Sequence, residues 1–268
     1  MREREMSERP TDLTPPAGTT ARTLLLLKLL AEARGDVSIK ELSLRTNLPP
    51  STLHRLLQLL LEGGMASFDA DHKRYGIGPE FLRVAALVGG RRSIADSARP
   101  HLEAITAATG ETSCLIAYVR PRRVVTAVLV VNSPHPLQYK TELFTDHTLL
   151  LGATGQSILA FLPEEEREQA LADFGPDTLA RLSGIPDRAA YAARLDWFRA
   201  QGYALTQSET IEGAVGIGAP VFDHAARVVA SICVTVPKLR FTPEIEETVV
   251  RALKPEAALL SAELGHRA

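Results

Sequence analysis

The stretch Leu48-Pro49-Pro50-Ser51-Thr52-Leu53-His54-Arg55-Leu56-Leu57-Gln58-Leu59-Leu60-Leu61-Glu62-Gly63-Gly64 decides how the rest of the chain is read. Its two prolines break any preceding helix and suit a turn or a first helical position. Ser51 or Thr52 then stands where a side-chain oxygen can cap the orphan N–H groups of a new helix. Leu53, Leu56, Leu57, Leu60 and Leu61 recur at helical spacing and define one apolar face. Gly63-Gly64 ends the run. The opposite face carries Ser51, Thr52, His54, Arg55 and Gln58, with no acid before Glu62. A short helix with one greasy side and one donor-rich side has the chemistry needed to enter a DNA major groove.

Working back from this stretch, residues 21–33 (ARTLLLLKLLAEA) predict a helix with leucines nearly all round, hence buried. Gly35-Asp36 breaks it. Ser38-Ile39-Lys40-Glu41 has the capping-box pattern and opens a second helix to about Thr46, with Ile39, Leu42 and Leu44 packing inward. Asn47-Leu48-Pro49 is the turn. Working forward, residues 65–68 and 73–78 flank a polar corner, Asp69-Ala70-Asp71-His72, and predict a small hairpin. Lys73 and Arg74 are placed there to meet phosphate, with Arg22 and Arg45 also available to hold backbone. Helix, short helix, turn, donor-faced helix and basic hairpin follow the order of a winged helix-turn-helix. An amphipathic helix with one Arg and one His is more often just a solvated face. The order of the flanking elements favours DNA binding.

At 268 residues the chain is long enough for two domains. Residues 1–92 hold 14 Lys and Arg against 11 Asp and Glu, and the remainder 16 against 21. A mildly basic N-terminal domain on an acidic partner domain is the reading this split favours. No apolar run approaches the roughly 18 residues of a membrane span. Residues 1–20 are charged and Pro-rich, which fits a disordered arm and not a signal peptide. Cys114 and Cys233, the only cysteines, argue for a reducing cytoplasm over a disulfide scaffold.

Residues 79–88 predict a helix leaving the hairpin, with Phe81, Leu82, Ala85 and Leu87 apolar, and residues 89–92 a hinge. Beyond it, 93–109 is helical, and 113–119 and 124–132 form a hairpin around Arg120-Pro121-Arg122-Arg123. Residues 137–144 predict a further strand. Helices follow over 153–162, 163–173, 177–182 and 187–201, then strands over 203–208, 216–223 and 228–236. A last helix starts at Thr242-Pro243, and Pro255 predicts a kink or a break in it. This order suggests an α+β fold around a largely antiparallel sheet. The domains expected are an arm at 1–20, the winged helix-turn-helix at 21–78, the linker at 79–92 and a second domain at 93–268.

Pro50, Ser51, Thr52, Arg55, Leu56 and Leu57, then Gly63, then Tyr75-Gly76-Ile77-Gly78, resemble the N-terminal domain of the IclR family of bacterial transcriptional regulators. That family reads Pro-x-Ser-Thr-x-x-Arg-Leu-Leu followed by a Tyr-x-Leu-Gly strand, so Ile77 replaces the usual leucine. The resemblance extends over roughly residues 21–265. It implies a dimerising linker helix and a GAF-like C-terminal domain that binds an effector. A dimer or tetramer on a double-stranded operator is implied as well, because one short recognition helix supplies little specific affinity.

Small residues at Leu151-Gly152-Ala153-Thr154-Gly155 mark a loop-to-helix junction, where free N–H groups and the helix dipole suit a carboxylate. From the residues alone, a helix end kept small for close packing is an equal reading. The resemblance favours the first. Gly155, Leu159 and Ala160 match the family's Gly-Lys-Ala-x-Leu-Ala segment, with Gln156 and Ser157 replacing Lys-Ala. Gly202, Glu209, Ile217, Gly218, Val221, Phe222 and Asp223 match its C-terminal signature, with Thr206 in place of Asp or Ser and Gly216 in place of Cys, Ser or Ala. The effector cavity so implied is lined by Ala153, Thr154, Thr206, Gly216, Cys233 and Thr235, and made larger and less polar by Thr206 and Gly216. An aromatic or branched organic acid is expected, its carboxylate at the N–H groups of residues 153–155 and its body towards Phe144, Leu149 and Leu151.

No cofactor, metal or catalytic constellation is expected. Gly155-Gln156-Ser157-Ile158-Leu159 misses the second glycine of a nucleophile elbow. The glycines of 213–218 lack the Lys-Ser/Thr of a phosphate loop. Cys114 reads as an inert core thiol, and the seven histidines show no HExxH or Cys-paired spacing. The rival readings are an enzyme built on the GAF-like domain and an architectural DNA-binding protein without effector.

Overall fold

A computed structural model describes residues 18–33, 35–89, 93–172, 185 and 187–267. The chain divides into two compact units between Ser93 and Ile94. The helix expected over 177–182, most of the expected arm and most of the hinge lie outside the described residues.

In the first unit, α1 (Thr19–Glu32), α2 (Ile39–Thr46) and α3 (Pro50–Glu62) precede a two-stranded hairpin, β1 (Ala66–Asp69) and β2 (Arg74–Ile77), and α4 (Pro79–Gly89). The capping box forms: Ser38 Oγ accepts from the Glu41 N–H at 3.3 Å, and the Glu41 carboxylate accepts from the Ser38 N–H at 2.6 Å. Asn47 ends α2 in the left-handed region at φ 55°, a conformation its short polar side chain tolerates. The start of α3 departs from expectation. Pro49 is its N-cap and Pro50 its first residue, with no side-chain cap, so Ser51 and Thr52 lie inside the first turn. Pro50 has no N–H to satisfy, which makes a side-chain cap less necessary.

Leu26, Leu29 and Leu30 of α1, Leu42, Leu48, Leu53, Leu56, Leu57, Leu60 and Tyr75 form one core. Two expectations of burial fail: Leu24 is 54% exposed and Leu44 is 75% exposed. A single three-helix core has room for only one stripe of each helix.

The second unit is an α+β sandwich on a six-stranded antiparallel sheet of order β5-β4-β3-β8-β7-β6. The strands are β3 (Thr112–Val119), β4 (Val124–Val131), β5 (Asp146–Thr148), β6 (Ala204–Gln207), β7 (Ala214–Phe222) and β8 (Val228–Pro237). Two helices, α5 (Ile94–Thr109) and α9 (Pro243–Glu263), cover one face through Leu102, Ile105, Val249, Leu253 and Leu260, packed on Leu115, Ile217, Ile232 and Val234. The other face receives α6 (Gly152–Leu159), with α7 (Glu164–Ala172) and α8 (Arg188–Gln201) following it in sequence.

Residues 137–144 form no strand, and β5 begins only at Asp146. Leu137, Leu143 and Phe144 are exposed, so their apolar character does not reflect a buried ladder. Instead the segment is tied by long-range bonds: Arg240 Nη1 donates to the Leu137 carbonyl at 3.0 Å and Tyr139 Oη to the Glu212 carbonyl at 3.1 Å. Nor does Pro255 break the last helix, since α9 continues to Glu263. Burial of Ala257, Leu260 and Ser261 on the sheet side holds the turn after the proline in place.

Candidate functional sites

The outer face of α3 presents Ser51, His54, Arg55 and Gln58 to solvent, with Thr52 half-buried. Leu53, Leu56 and Leu57 beneath them are fully buried. Among the described residues no side-chain partner binds Arg55 or His54, whereas Gln58 Nε2 donates to Glu62 Oε1 at 3.2 Å. A cationic side chain fixed only at its root, on an anchored helix, is free to meet an external acceptor.

The other basic residues differ from one another. Lys73 is exposed at the hairpin turn, with φ 52°. Arg45 is exposed and 3.7 Å from Glu32. Arg22 lies half-buried in the first turn of α1. Arg74 is already engaged: its Nε donates to the Asp36 carbonyl at 2.7 Å and its Nη2 to Glu41 at 3.1 Å. It fastens the hairpin to the start of α2. Backbone bonds in both directions between Val37 and Tyr75, each 2.8 Å, seal the same seam.

In the second unit, strand register gathers the other group of residues. Gly216 of β7 pairs with Thr206 of β6 on one side and Thr235 of β8 on the other, and Thr235 pairs with Thr112 of β3. Four adjacent strands thus carry one row on a single face. Cys233 lies one step along, opposite Gly218 and Cys114. The N-terminus of α6 sits directly on this row. A Cβ on Gly216 would lie 3.0 Å from Ala153 Cβ, and one on Gly218 would lie 2.8 Å from Ser157 Oγ and 2.9 Å from the Ala153 carbonyl. Gly216 therefore does not enlarge a cavity, as its sequence position suggested, because Ala153 fills the space.

Phe144 is 74% exposed and in the left-handed region, so it does not line this face, whereas Leu149 and Leu151 are buried beside α6. Gly155 is required by packing, since a Cβ there would lie 2.6 Å from the Thr148 and Leu149 carbonyls. Thr206 is buried and Thr154 half-buried. Both thiols are buried, and burial pushes Cys114 well above and Cys233 up to about 11.

Sequence reasoning did not foresee what Glu209 does. Its carboxylate accepts from the Gly152 N–H at 3.0 Å and from Gln156 Nε2 at 2.6 Å, and it pairs with Arg194 of α8. Gly152 is thereby satisfied from within. Among the described residues the Ala153 and Thr154 N–H groups have no protein acceptor. Thr112 was also unforeseen, because only the register places it beside Thr235.

These geometries can be set beside known proteins. The family model described as the IclR helix-turn-helix domain matches residues 19–70, and that described as bacterial transcriptional regulator IclR C-terminal matches residues 87–262. The chain belongs to the IclR family. It is a DNA-binding transcriptional regulator with a C-terminal effector domain, and not an enzyme.

Among IclR-family proteins, the transcriptional regulator KipR of Bacillus subtilis is 28% identical over 249 residues, 92% of this chain and 97% of KipR. The Thermotoga maritima IclR crystal structure is 28% identical with a TM-score of 0.65, covering 92% of this chain and 99% of that one. An IclR homologue from Microbacterium hydrocarbonoxydans, solved in complex with 4-hydroxybenzoate, shares the fold at a TM-score of 0.74 and 21% identity, covering 92% and 99%. No described helix of this IclR-family chain is long and apolar enough to cross a membrane.

Proposed function

We propose that this regulator reads an operator with α3 in the major groove, and that a small organic acid bound in the second unit alters that reading. The observation that carries the DNA half is the outer face of α3, where Arg55 is exposed and lacks a protein partner among the described residues. In this reading Ser51, Thr52, His54, Arg55 and Gln58 approach base edges, and Lys73, Arg22 and Arg45 approach phosphates. Arg74 serves to fix the hairpin. Arg55→Ala lowers specific affinity by roughly 1–3 kcal/mol if Arg55 is bidentate to a guanine. Unchanged operator binding by this variant, in a gel-shift titration at fixed salt, refutes the role of the helix.

The effector's carboxylate accepts from the Ala153 and Thr154 N–H groups, which lack acceptors among the described residues, and from the hydroxyl row of Thr206 and Thr235. Its body lies towards Leu149 and Leu151. An aromatic acid is favoured by these apolar neighbours and by the 4-hydroxybenzoate bound to the Microbacterium relative. Calorimetry decides the class: tight glyoxylate or pyruvate binding without measurable binding of aromatic acids defeats it.

A homodimer or tetramer in the cytoplasm completes the proposal, since paired half-sites supply the affinity one short helix lacks. The internal carboxylate of Glu209 at Gly152 supports one rival, a DNA-binding protein whose small-residue helix end exists only for packing. A flat thermal-shift response across organic acids, with DNA binding intact, favours that rival.

A further inference from the structure

Gln156 is fully buried on α6, and its carboxamide is satisfied on one side only. The Nε2 group donates to the Leu150 carbonyl at 3.0 Å and to Glu209 Oε2 at 2.6 Å. Both partners are pure acceptors, so the orientation of the amide is fixed and Oε1 must face the other way. That Oε1 is buried with no hydrogen-bond partner among the described residues. Buried acceptors are paired in the great majority of cases, and one left unpaired signals a partner outside the chain.

The orphan stands at the helix end already described. The same Glu209 oxygen that takes the Gln156 amide also takes the Gly152 N–H, and the Ala153 and Thr154 N–H groups follow directly. One end of α6 therefore offers free donors on the backbone and a free acceptor on a side chain. A carboxylate satisfies the donors alone. Glu209 does not supply the missing hydrogen bond to Oε1: its two carboxylate oxygens already accept from the Gly152 N–H, the Gln156 amide and Arg194.

We infer that Gln156 is a specificity-determining residue of the effector site: its Oε1 accepts a hydrogen bond from a hydroxyl or amine on the effector. The effector class narrows to acids carrying a second, donating group. This rests on the effector-site reading above. A site built to hydrogen-bond a donor discriminates against the analogue that lacks it, since the buried acceptor is then left unpaired.

The test is a calorimetric titration of the full-length chain and of Gln156→Met with benzoate and each of the three monohydroxybenzoates. At least one hydroxylated isomer is expected to bind the unaltered protein about tenfold more tightly than benzoate. That margin is expected to vanish in Gln156→Met, while benzoate binding changes less. Equal affinity of benzoate and all three isomers for the unaltered protein overturns the inference, with or without a folded variant. So does a margin that persists in Gln156→Met, as when a trapped water is the acceptor's partner. Binding of none of the four by the unaltered protein overturns the aromatic-acid reading on which the inference rests.

Discussion

Arg74 and Glu41 meet through two contacts, with Arg74 Nη2 3.2 and 3.1 Å from the two carboxylate oxygens, so the hairpin is bolted to the helix before α3. The same carboxylate closes the capping box on Ser38, and that backbone hydrogen bond is the leading cause of its lowered pKa. Arg74 therefore belongs to the architecture of the head. Replacing it with Ala is expected to reduce stability slightly, as an exposed pair should, and to leave the salt dependence of DNA binding nearly unchanged. Lys73→Ala is expected to reduce the slope of log K against log salt by about one. Binding isotherms at several salt concentrations distinguish the two.

The close seat of α6 on β7 yields a second prediction. Gly218→Ala places a methyl 2.8 Å from Cys233 Sγ and Ser157 Oγ, and a loss of roughly 1–3 kcal/mol is expected from overpacking. Gly155→Ala is expected to be worse, because its obstacles are backbone carbonyls that cannot rotate away. Urea denaturation of both variants gives the order.

Glu209 is largely buried, and Arg194 is partly solvated. Glu209→Ala strands Arg194, the Gly152 N–H and the Gln156 amide together. The expected loss is about 2–3 kcal/mol, below the value for a fully buried pair because water still reaches Arg194. Loss of stability within a few tenths of a kcal/mol of zero, by chemical denaturation, contradicts this account of the helix end.

Asp223 caps the β7–β8 turn, accepting from the Arg227 side chain, the Arg227 N–H and the Ala225 N–H, and these bonds hold its carboxyl at about 2. A depressed folded value means stabilisation that is complete above the ordinary range near pH 4 and lost as pH falls through about 2. Asp223→Asn is therefore expected to be less stable than the parent at pH 7, with the gap narrowing below pH 4. Parallel urea titrations at stepped pH test the sign.

Local signals were legible in the sequence, and signals set by distant partners were not. The Ser38 capping box and the leucine stripe of α3 depend on residues three or four apart, so both are read directly. Residues 137–144 look like a strand, yet their conformation depends on Arg240 and Glu212, which lie 103 and 73 residues from their partners Leu137 and Tyr139. Pro255 looks like a breaker until the sheet beneath Leu260 is known. The Thr206–Gly216–Thr235–Thr112 row needs strand register, which no single strand encodes. Gln156 departs from the family pattern in the sequence, but its unpaired oxygen follows only from the positions of Leu150 and Glu209.

The paired bonds between Val37 and Tyr75 add a third strand, one residue long, to the hairpin. Much of the ordering entropy of that hairpin is thus spent during folding and not at the encounter with DNA. Such a head should recognise its operator by rigid fit, tolerating few variant sites and gaining little from induced adjustment.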